Sequence, residues 1–268
     1  ATATGLAAGS YTVTVKDDNN CQAVAGPVTI TEPTAVSASM GVPIMVSCNG
    51  GSDGSVTVTG SGGTVAGDYT YIWSDGQTTA TATGLAAGSY TVTVKDDNNC
   101  QTIAGPVTIT EPNVLSQTNS TSDVSCNGGS DGSIDVVVSG GIAPYDISWT
   151  GTANGAQNNA IINDGGNYSI SSLGDGNYSV TIIDNNNCSI NFNQTIFDPA
   201  LLTVSISSKT DVSCNGLTDG TATATVGGGT LPYDYSWSNG QTTLNTINNT
   251  NSVINLPAGL ISITITDG

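Results

Sequence analysis

The side chains able to do chemistry in this chain are few, and they recur at fixed places. Cys48, Cys126 and Cys214 each sit in a Val-Ser-Cys-Asn-Gly stretch, and Cys21, Cys100 and Cys188 each follow a turn rich in Asp and Asn. Cysteines repeated in this way, with no His and no Cys-x-x-Cys pair, read as disulfides rather than zinc ligands or redox-active thiols. Disulfides place the chain outside a reducing cytosol. A second set is Asp96, Asp97, Asn98 and Asn99, four oxygen-bearing side chains in one tight turn, repeated at residues 17–20 and 184–187. Calcium is the metal such a set would take. It needs about six to eight oxygens, so a junction between modules would have to add the rest. The same residues also read as a solvated hairpin turn, because Asp and Asn supply turn geometry by themselves.

Catalysis has little to draw on. There is no His for proton transfer and no Arg to stabilise an anion, and a site copied from module to module argues against an Asp-based hydrolase. The sequence predicts no enzyme and, calcium aside, no cofactor. Charge narrows the partners: 21 Asp and Glu face three basic residues, Lys16, Lys95 and Lys209, for a net charge of −18. Neutralising phosphates needs clustered Lys or Arg, so nucleic acid is excluded, and docking on anionic lipid headgroups is disfavoured. No apolar run approaches the roughly 18 residues of a membrane span, so no membrane insertion is expected. No signal peptide is legible either, in a sequence that opens and closes in mid-module.

The elements that hold these residues follow from repetition. Residues 1–33 recur at 80–112 with two changes, Thr102 for Ala23 and Ile103 for Val24, at an offset of 79 residues. That offset is too long for a solenoid turn and suits one small all-β domain. VSCNGGSDGS occupies 46–55 and 124–133, and VSCNGLTDGT occupies 212–221. An aromatic strand follows each (YTYIWS at 69–74, YDISW at 145–149, YDYSWS at 233–238), then a hydrophobic strand pair. An acidic-Pro step closes the modules at Glu32-Pro33, Glu111-Pro112 and Asp198-Pro199. The steps divide the chain into the C-terminal part of a truncated module (1–33), modules at 34–112 and 113–199, and a module at 200–268 truncated at its C-terminus.

Each module offers six or seven short strands separated by turn signals, the pattern of an Ig-like antiparallel β-sandwich. In the first complete module strand A lies within 34–48, strand B at 55–59 and strand C at 69–74. An edge strand follows near 78–83, then strand F at 90–95 and strand G at about 102–110. The Asn/Gly-rich insertion around 151–166 reads as a loop. Side-chain alternation puts Tyr69, Tyr71 and Trp73 on one face, which we place in the core with Val56, Val58, Val92, Val94, Val107 and Ile109. Leu85, Gly88 and Tyr90, and likewise Leu173, Gly176 and Tyr178, spell a tyrosine corner; Ile261 takes the Tyr place in the last module. The Thr-x-Thr runs at 2–4, 12–14 and 91–93 read as outward residues of half-exposed strands rather than an ice- or crystal-binding face.

Three disulfide registers are open on paper. Pairing each turn cysteine with the next Val-Ser-Cys cysteine would bridge two strands running the same way, separating sulfurs whose Cα atoms must lie within about 7 Å. Pairing inside a module (Cys48–Cys100, Cys126–Cys188) is ordinary for a small secreted domain but joins opposite poles of a sandwich. Pairing Cys48 with Cys188 would staple successive modules set end to end. A cross-link would add roughly 2–4 kcal/mol to a domain this small.

The combination of VSCNGGSDGS, the YxYxW strand and the closing GxYxVTVxDxNxC resembles the SprB repeat, found in large cell-surface adhesins of gliding Bacteroidetes, and covers nearly the whole chain. The resemblance implies type IX secretion, display at the outer membrane, and a role in adhesion or gliding motility; it assigns no catalytic residues. The expectation is a set of tandem Ig-like β-sandwich modules forming an extended rod, the stalk or filament of an extracellular adhesin. Its partners would be neighbouring modules of the same chain, a surface polysaccharide or abiotic substratum, and outer-membrane secretion or motility machinery. Two alternatives accompany it: a polysaccharide-binding module using loops at 60–68 or 151–166, and a self-assembling extracellular filament subunit joined through edge strands.

Overall fold

The computed structural model describes every residue from Ala1 to Gly268. The protein contains 21 β-strands and no helix, and it divides into two compact units, Ala1–Glu111 and Pro112–Gly268. The first unit opens with a hairpin of β1 (Gly9–Lys16) and β2 (Gln22–Ile30). Six strands follow: β3 (Ser37–Met40), β4 (Gly54–Ser61), β5 (Thr70–Trp73), β6 (Thr81–Leu85), β7 (Gly88–Lys95) and β8 (Gln101–Ile109). They form two antiparallel sheets, β3-β4-β6 and β5-β7-β8.

In the second unit, residues 113–199 carry β9 (Ser116–Ser122), β10 (Gly132–Ser139), β11 (Tyr145–Thr150), β12 (Gly155–Ile161), β13 (Asn167–Leu173), β14 (Gly176–Ile183) and β15 (Ser189–Ile196). Their sheets run β9-β10-β13 and β12-β11-β14-β15. The rest of the unit carries β16 (Thr203–Thr210), β17 (Gly220–Gly227), β18 (Tyr233–Trp237), β19 (Thr242–Thr246), β20 (Thr250–Leu256) and β21 (Ile263–Asp267), in sheets β16-β17-β20 and β19-β18-β21. The fold is therefore all-β, a tandem series of Ig-like sandwiches, with strands A, B and E in one sheet and C and F in the other, joined there by G in residues 34–112 and 113–199.

Alternation writes the core. In β4 Val56 and Val58 point inward, and in β7 Val92 and Val94 do, meeting Ala82, Leu85, Trp73, Ala104 and Ile109 between the sheets. Burying a Val, Leu or Ile side chain is worth about 1.5–3 kcal/mol, and seven of the ten buried positions are such residues, which makes them the main stabilising term of the module. Tyr69, Tyr71 and Val107 pack only partly against this core, whereas Tyr145, Ile147, Tyr233, Tyr235 and Trp237 are buried. Trp73 keeps its indole N–H paired by donating to the Thr79 carbonyl at 2.8 Å. The outer faces carry hydroxyls that bond across strands, such as Thr57 with Thr81 at 2.9 Å. Context decides burial, not sequence: Val13 and Val15 of the β1–β2 hairpin are 56% and 63% exposed, while their equivalents Val92 and Val94 have no exposed surface. What differs is the facing sheet.

The insertion at 151–166 corrects the sequence reading. It is not a loop throughout: β12 pairs with β11 through Trp149↔Gly155, Ser148↔Ala156 and Ile147↔Gln157. Its composition signals a loop, but an edge strand takes its hydrogen bonds from its neighbour's backbone and needs few apolar side chains. Gly155 lies directly on the Trp149 ring, where a Cβ would collide. At the irregularity that follows, the Asn159 N–H donates to Asp146 Oδ1 at 2.7 Å.

The tyrosine corners form as the spacing predicts. Tyr90 donates to the Ala86 carbonyl and Tyr178 to the Gly174 carbonyl, each at 3.0 Å. Ile261 has no hydroxyl to offer and packs against the core of its own module instead.

Candidate functional site: the two poles of the module

The repeated polar residues gather at the two ends of each sandwich. At one pole the AB turn folds back on itself. The Gly51 N–H donates to the Cys48 carbonyl at 2.9 Å and the Gly129 N–H to the Cys126 carbonyl at 2.8 Å. The aspartate of the signature closes this turn, accepting the backbone N–H of Ser47, Ser125 or Ser213 at 3.0 Å on Asp53, Asp131 or Asp219. All three carboxyls lie below the ordinary aspartate range, chiefly through the serine side chain and then through the serine N–H. The next residue must be glycine for space: a Cβ on Gly54 would press on Ile109 Cγ2 at 2.8 Å, and one on Gly132 on Ile196 Cγ2 at 2.9 Å.

The acidic-Pro step ends at this same pole. Glu111 Oε2 accepts the Gly50 N–H at 2.6 Å, and Asp198 accepts the Gly128 N–H at 3.1 Å and the Asn127 amide at 2.9 Å. The acidic residue thus ties the last strand of a module back to that module's own first turn. The chain leaves here.

At the opposite pole the FG turn meets the BC loop and the start of the module. Asp96 is 5% exposed and its carboxylate is surrounded by donors: Thr64 N–H at 2.9 Å, Asn98 N–H at 3.0 Å and Cys100 N–H at 2.8 Å. Asp184 repeats the pattern with the N–H groups of Ile142, Asn186 and Cys188, each at 2.9 Å. Asp267 Oδ2 accepts the Thr230 N–H at 2.8 Å. The Thr64 N–H is the largest cause that holds Asp96 below the ordinary aspartate range, against partial burial that pushes it up. The incoming chain is fixed beside it: the Gly63 N–H donates to the Thr34 carbonyl at 2.7 Å and the Gly141 N–H to the Asn113 carbonyl at 2.9 Å.

Two glycines make this pole. Gly62 and Gly63, like Gly140 and Gly141 and Gly228 and Gly229, all have positive φ. A Cβ on the first of each pair would overlap the carbonyl of Ala35, Val114 or Leu201, and one on the second would meet the aspartate Oδ2 at 2.6 Å. The carbonyl of the first glycine accepts the hydroxyl of Tyr69, Tyr145 or Tyr233 at 2.6 to 2.8 Å. Sequence reasoning missed this clasp of glycines, tyrosine and aspartate, although its signal, a Gly-Gly pair after every strand B, repeats in plain view.

This geometry gives the candidate calcium residues other work. Asp96 faces N–H donors, the wrong pole of the dipole for a cation, and Asp97 Oδ2 accepts the Ala66 N–H at 2.6 Å. Asn98 and Asn99 lie exposed on the turn. No three His, Cys, Asp or Glu side chains come together as a metal-binding group. The cysteines divide unevenly. Cys21, Cys100, Cys126 and Cys214 are exposed thiols, whereas Cys48 and Cys188 are both disulfide-bonded.

Residues 46–78, 118–154 and 206–242 match the family described as the SprB repeat. Each match spans an AB turn and the aromatic strand after it. Comparison with curated proteins finds no match. Among solved structures, the tetra-tandem repeat in the extending region of a large adhesion protein is 16% identical, with 95% of this chain and 75% of that one covered and a TM-score of 0.29. A structure described as the structural basis for Dscam isoform specificity is 12% identical, covering 99% of this chain and 78% of that one, with a TM-score of 0.24. A Dpr2 Ig1-Ig2 complex with DIP-Theta Ig1-Ig3 is 10% identical, covering 86% and 95%, with a TM-score of 0.26.

Proposed function

We propose that this chain, which carries three SprB repeats, is a segment of the repetitive stalk of a bacterial cell-surface adhesin, extracellular and non-catalytic. Its work is mechanical: to hold an adhesive tip away from the cell, to bear force, and to multiply weak contacts along its length in adhesion or gliding. One observation carries the reading. In each complete module the chain comes in at one pole and leaves at the other, and each end is pinned by its own carboxylate, Asp96 or Asp184 at the first and Glu111 or Asp198 at the second. Tension applied through the termini then pulls along the strands and across both pins. The loop at 60–68 is poorly placed to read a polysaccharide, because the N–H groups of Thr64 and Ala66 are held by Asp96 and Asp97.

Pulling residues 1–268 from both ends in reducing buffer tests this. The stalk reading predicts discrete unfolding events, each releasing on the order of 250 Å for a module of about 80 residues. A smooth extension without steps would contradict it.

A further inference from the structure

We propose that Asn215-Gly216 is a site of spontaneous covalent modification, where the asparagine becomes aspartate or isoaspartate. Asp198 spares Asn127-Gly128, the same turn one module earlier, from that reaction. The inference concerns chemistry inside Pro112–Gly268 and holds whatever the array adheres to, so its failure leaves the pulling measurement intact.

The reaction needs an asparagine followed by a residue whose backbone nitrogen is unshielded, and glycine, with no Cβ, is that residue. Once its N–H proton has passed to hydroxide, the Gly216 nitrogen attacks Cγ of Asn215. The new C–N bond closes a five-membered imide, the Cγ–Nδ2 bond breaks, and the side-chain nitrogen takes a proton from water and leaves as ammonia. A second water then opens the ring. Entry at Cγ leaves aspartate; entry at the backbone carbonyl carbon of Asn215 leaves isoaspartate, with the main chain rerouted through Cβ. No oxidant takes part.

Four Asn-Gly pairs lie in this unit, and three of them are held. Gly155 is fixed in β12 opposite Trp149, and Asn154 Oδ1 accepts the Gly151 N–H at 2.9 Å. The Gly240 N–H donates to the Trp237 carbonyl at 2.9 Å, and Asn239 Oδ1 accepts the Gln241 N–H at 3.1 Å. Asn127-Gly128 is held at both reacting ends. The Gly128 N–H donates to Asp198 Oδ1 at 3.1 Å, while Asn127 Nδ2 donates to Asp198 Oδ2 and to the Pro199 carbonyl, each at 2.9 Å. Asn215-Gly216 has neither restraint. No hydrogen bond engages the Gly216 N–H or the Asn215 side chain, and both residues are exposed.

The two turns are otherwise alike, which makes the carboxylate the deciding difference. Both read Val-Ser-Cys-Asn-Gly, and both glycines have positive φ, +72° at Gly128 and +84° at Gly216. Each turn closes on its cysteine carbonyl, through the Gly129 N–H at 2.8 Å and the Leu217 N–H at 3.2 Å. A carboxylate that accepts the glycine N–H opposes the reaction twice. The bond must break before the nitrogen can attack, and the negative charge forming on nitrogen is repelled by the one on Asp198. Such a charge-assisted hydrogen bond slows the attack about tenfold or more. The acidic residue before proline therefore protects the backbone of the turn to which it ties the last strand.

The test is mass spectrometry of residues 1–268 aged in mildly alkaline buffer, then reduced, alkylated and cleaved before aspartate. Peptides 123–130 and 211–218 carry one asparagine each, Asn127 and Asn215. Aspartate formed in either opens a new cleavage point, and isoaspartate leaves the peptide whole but heavier, so the two products are counted together. In the native protein Asn215 should react at least about tenfold faster than Asn127, and in concentrated urea at about the same rate. Equal native rates, or a native ratio that persists in urea, would overturn the proposal. Asp198→Ala should bring Asn127 up to the rate of Asn215 while Asn154 stays slow in the same sandwich. An unchanged Asn127 would refute the role of the carboxylate. So would an acceleration shared by Asn154, which would assign the protection to the sandwich as a whole.

Discussion

Replacing Asp184 with Ala asks whether the clasp at the N-terminal pole stabilises the whole module or only its turn. The carboxylate accepts three backbone N–H groups, from Ile142, Asn186 and Cys188, all at 2.9 Å, and is 4% exposed. A hydrogen bond to a charged acceptor contributes about 1.5–3 kcal/mol net. The Ile142 bond, made between two loops, contributes about 2 kcal/mol, near the middle of that range. The two bonds within the turn, where water can take over, contribute about 0.5 kcal/mol each. The sum, about 3 kcal/mol, is a large share of the roughly 4–13 kcal/mol expected for a module of this size. It corresponds to about a hundredfold rise in the opening constant. Hydrogen exchange at neutral pH reads it directly: amides in β10, β11 and β14 should exchange about a hundred times faster in Asp184→Ala. Asp184→Asn should fall between, keeping an acceptor for the turn while turning a donor toward Ile142. Asp175→Ala, an exposed surface change, should stay within about 0.5 kcal/mol of the parent. Acceleration confined to 184–188, or less than about fivefold in the strands, refutes the claim that the clasp holds the sandwich together.

Two further predictions concern the same poles. Because Asp53, Asp96, Asp131 and Asp219 lie below the ordinary value of 3.8 in the fold, their contribution is complete above that value and fades as pH falls through it toward the native values. Urea midpoints measured near 1 M salt, where repulsion among the acidic residues is screened to about 3 Å, should be level from pH 7 to about 5 and fall below 4. Gly140→Ala and Gly165→Ala share nearly the same φ, +74° and +75°, but only the first places its Cβ on the Val114 carbonyl; the second meets open space. Denaturant titration should show a cost of about 1–2 kcal/mol for Gly165→Ala, the strain of a left-handed residue, and at least about 2 kcal/mol more for Gly140→Ala.

The sheets were legible because alternation and turn chemistry are local. Trp73 is buried, Val92 and Val94 face inward, and Tyr90 reaches back four residues to Ala86, all from patterns a few residues long. The clasps were not legible, because their halves lie far apart in the chain. Asp96 meets Thr64 across 32 residues and Glu111 meets Gly50 across 61, so only the fold reveals that a turn aspartate and a step before proline accept backbone N–H groups from distant loops. The strand at Gly155–Ile161 escaped for a different reason: an edge strand needs backbone partners rather than a hydrophobic pattern, and Asn and Gly conceal it. The N–H donors around Asp96 were hidden for the same reason, since a turn of Asp and Asn reads alike in sequence whether its carboxylate faces backbone N–H groups or a cation.

Single-molecule pulling of Asp198→Ala beside the parent tests the central claim most directly. The account predicts that residues 113–199 yield at a lower force in the variant, because the Gly128 N–H and the Asn127 amide lose the carboxylate that ties the last strand of the module to its first turn. Equal unfolding forces in the two proteins would contradict it.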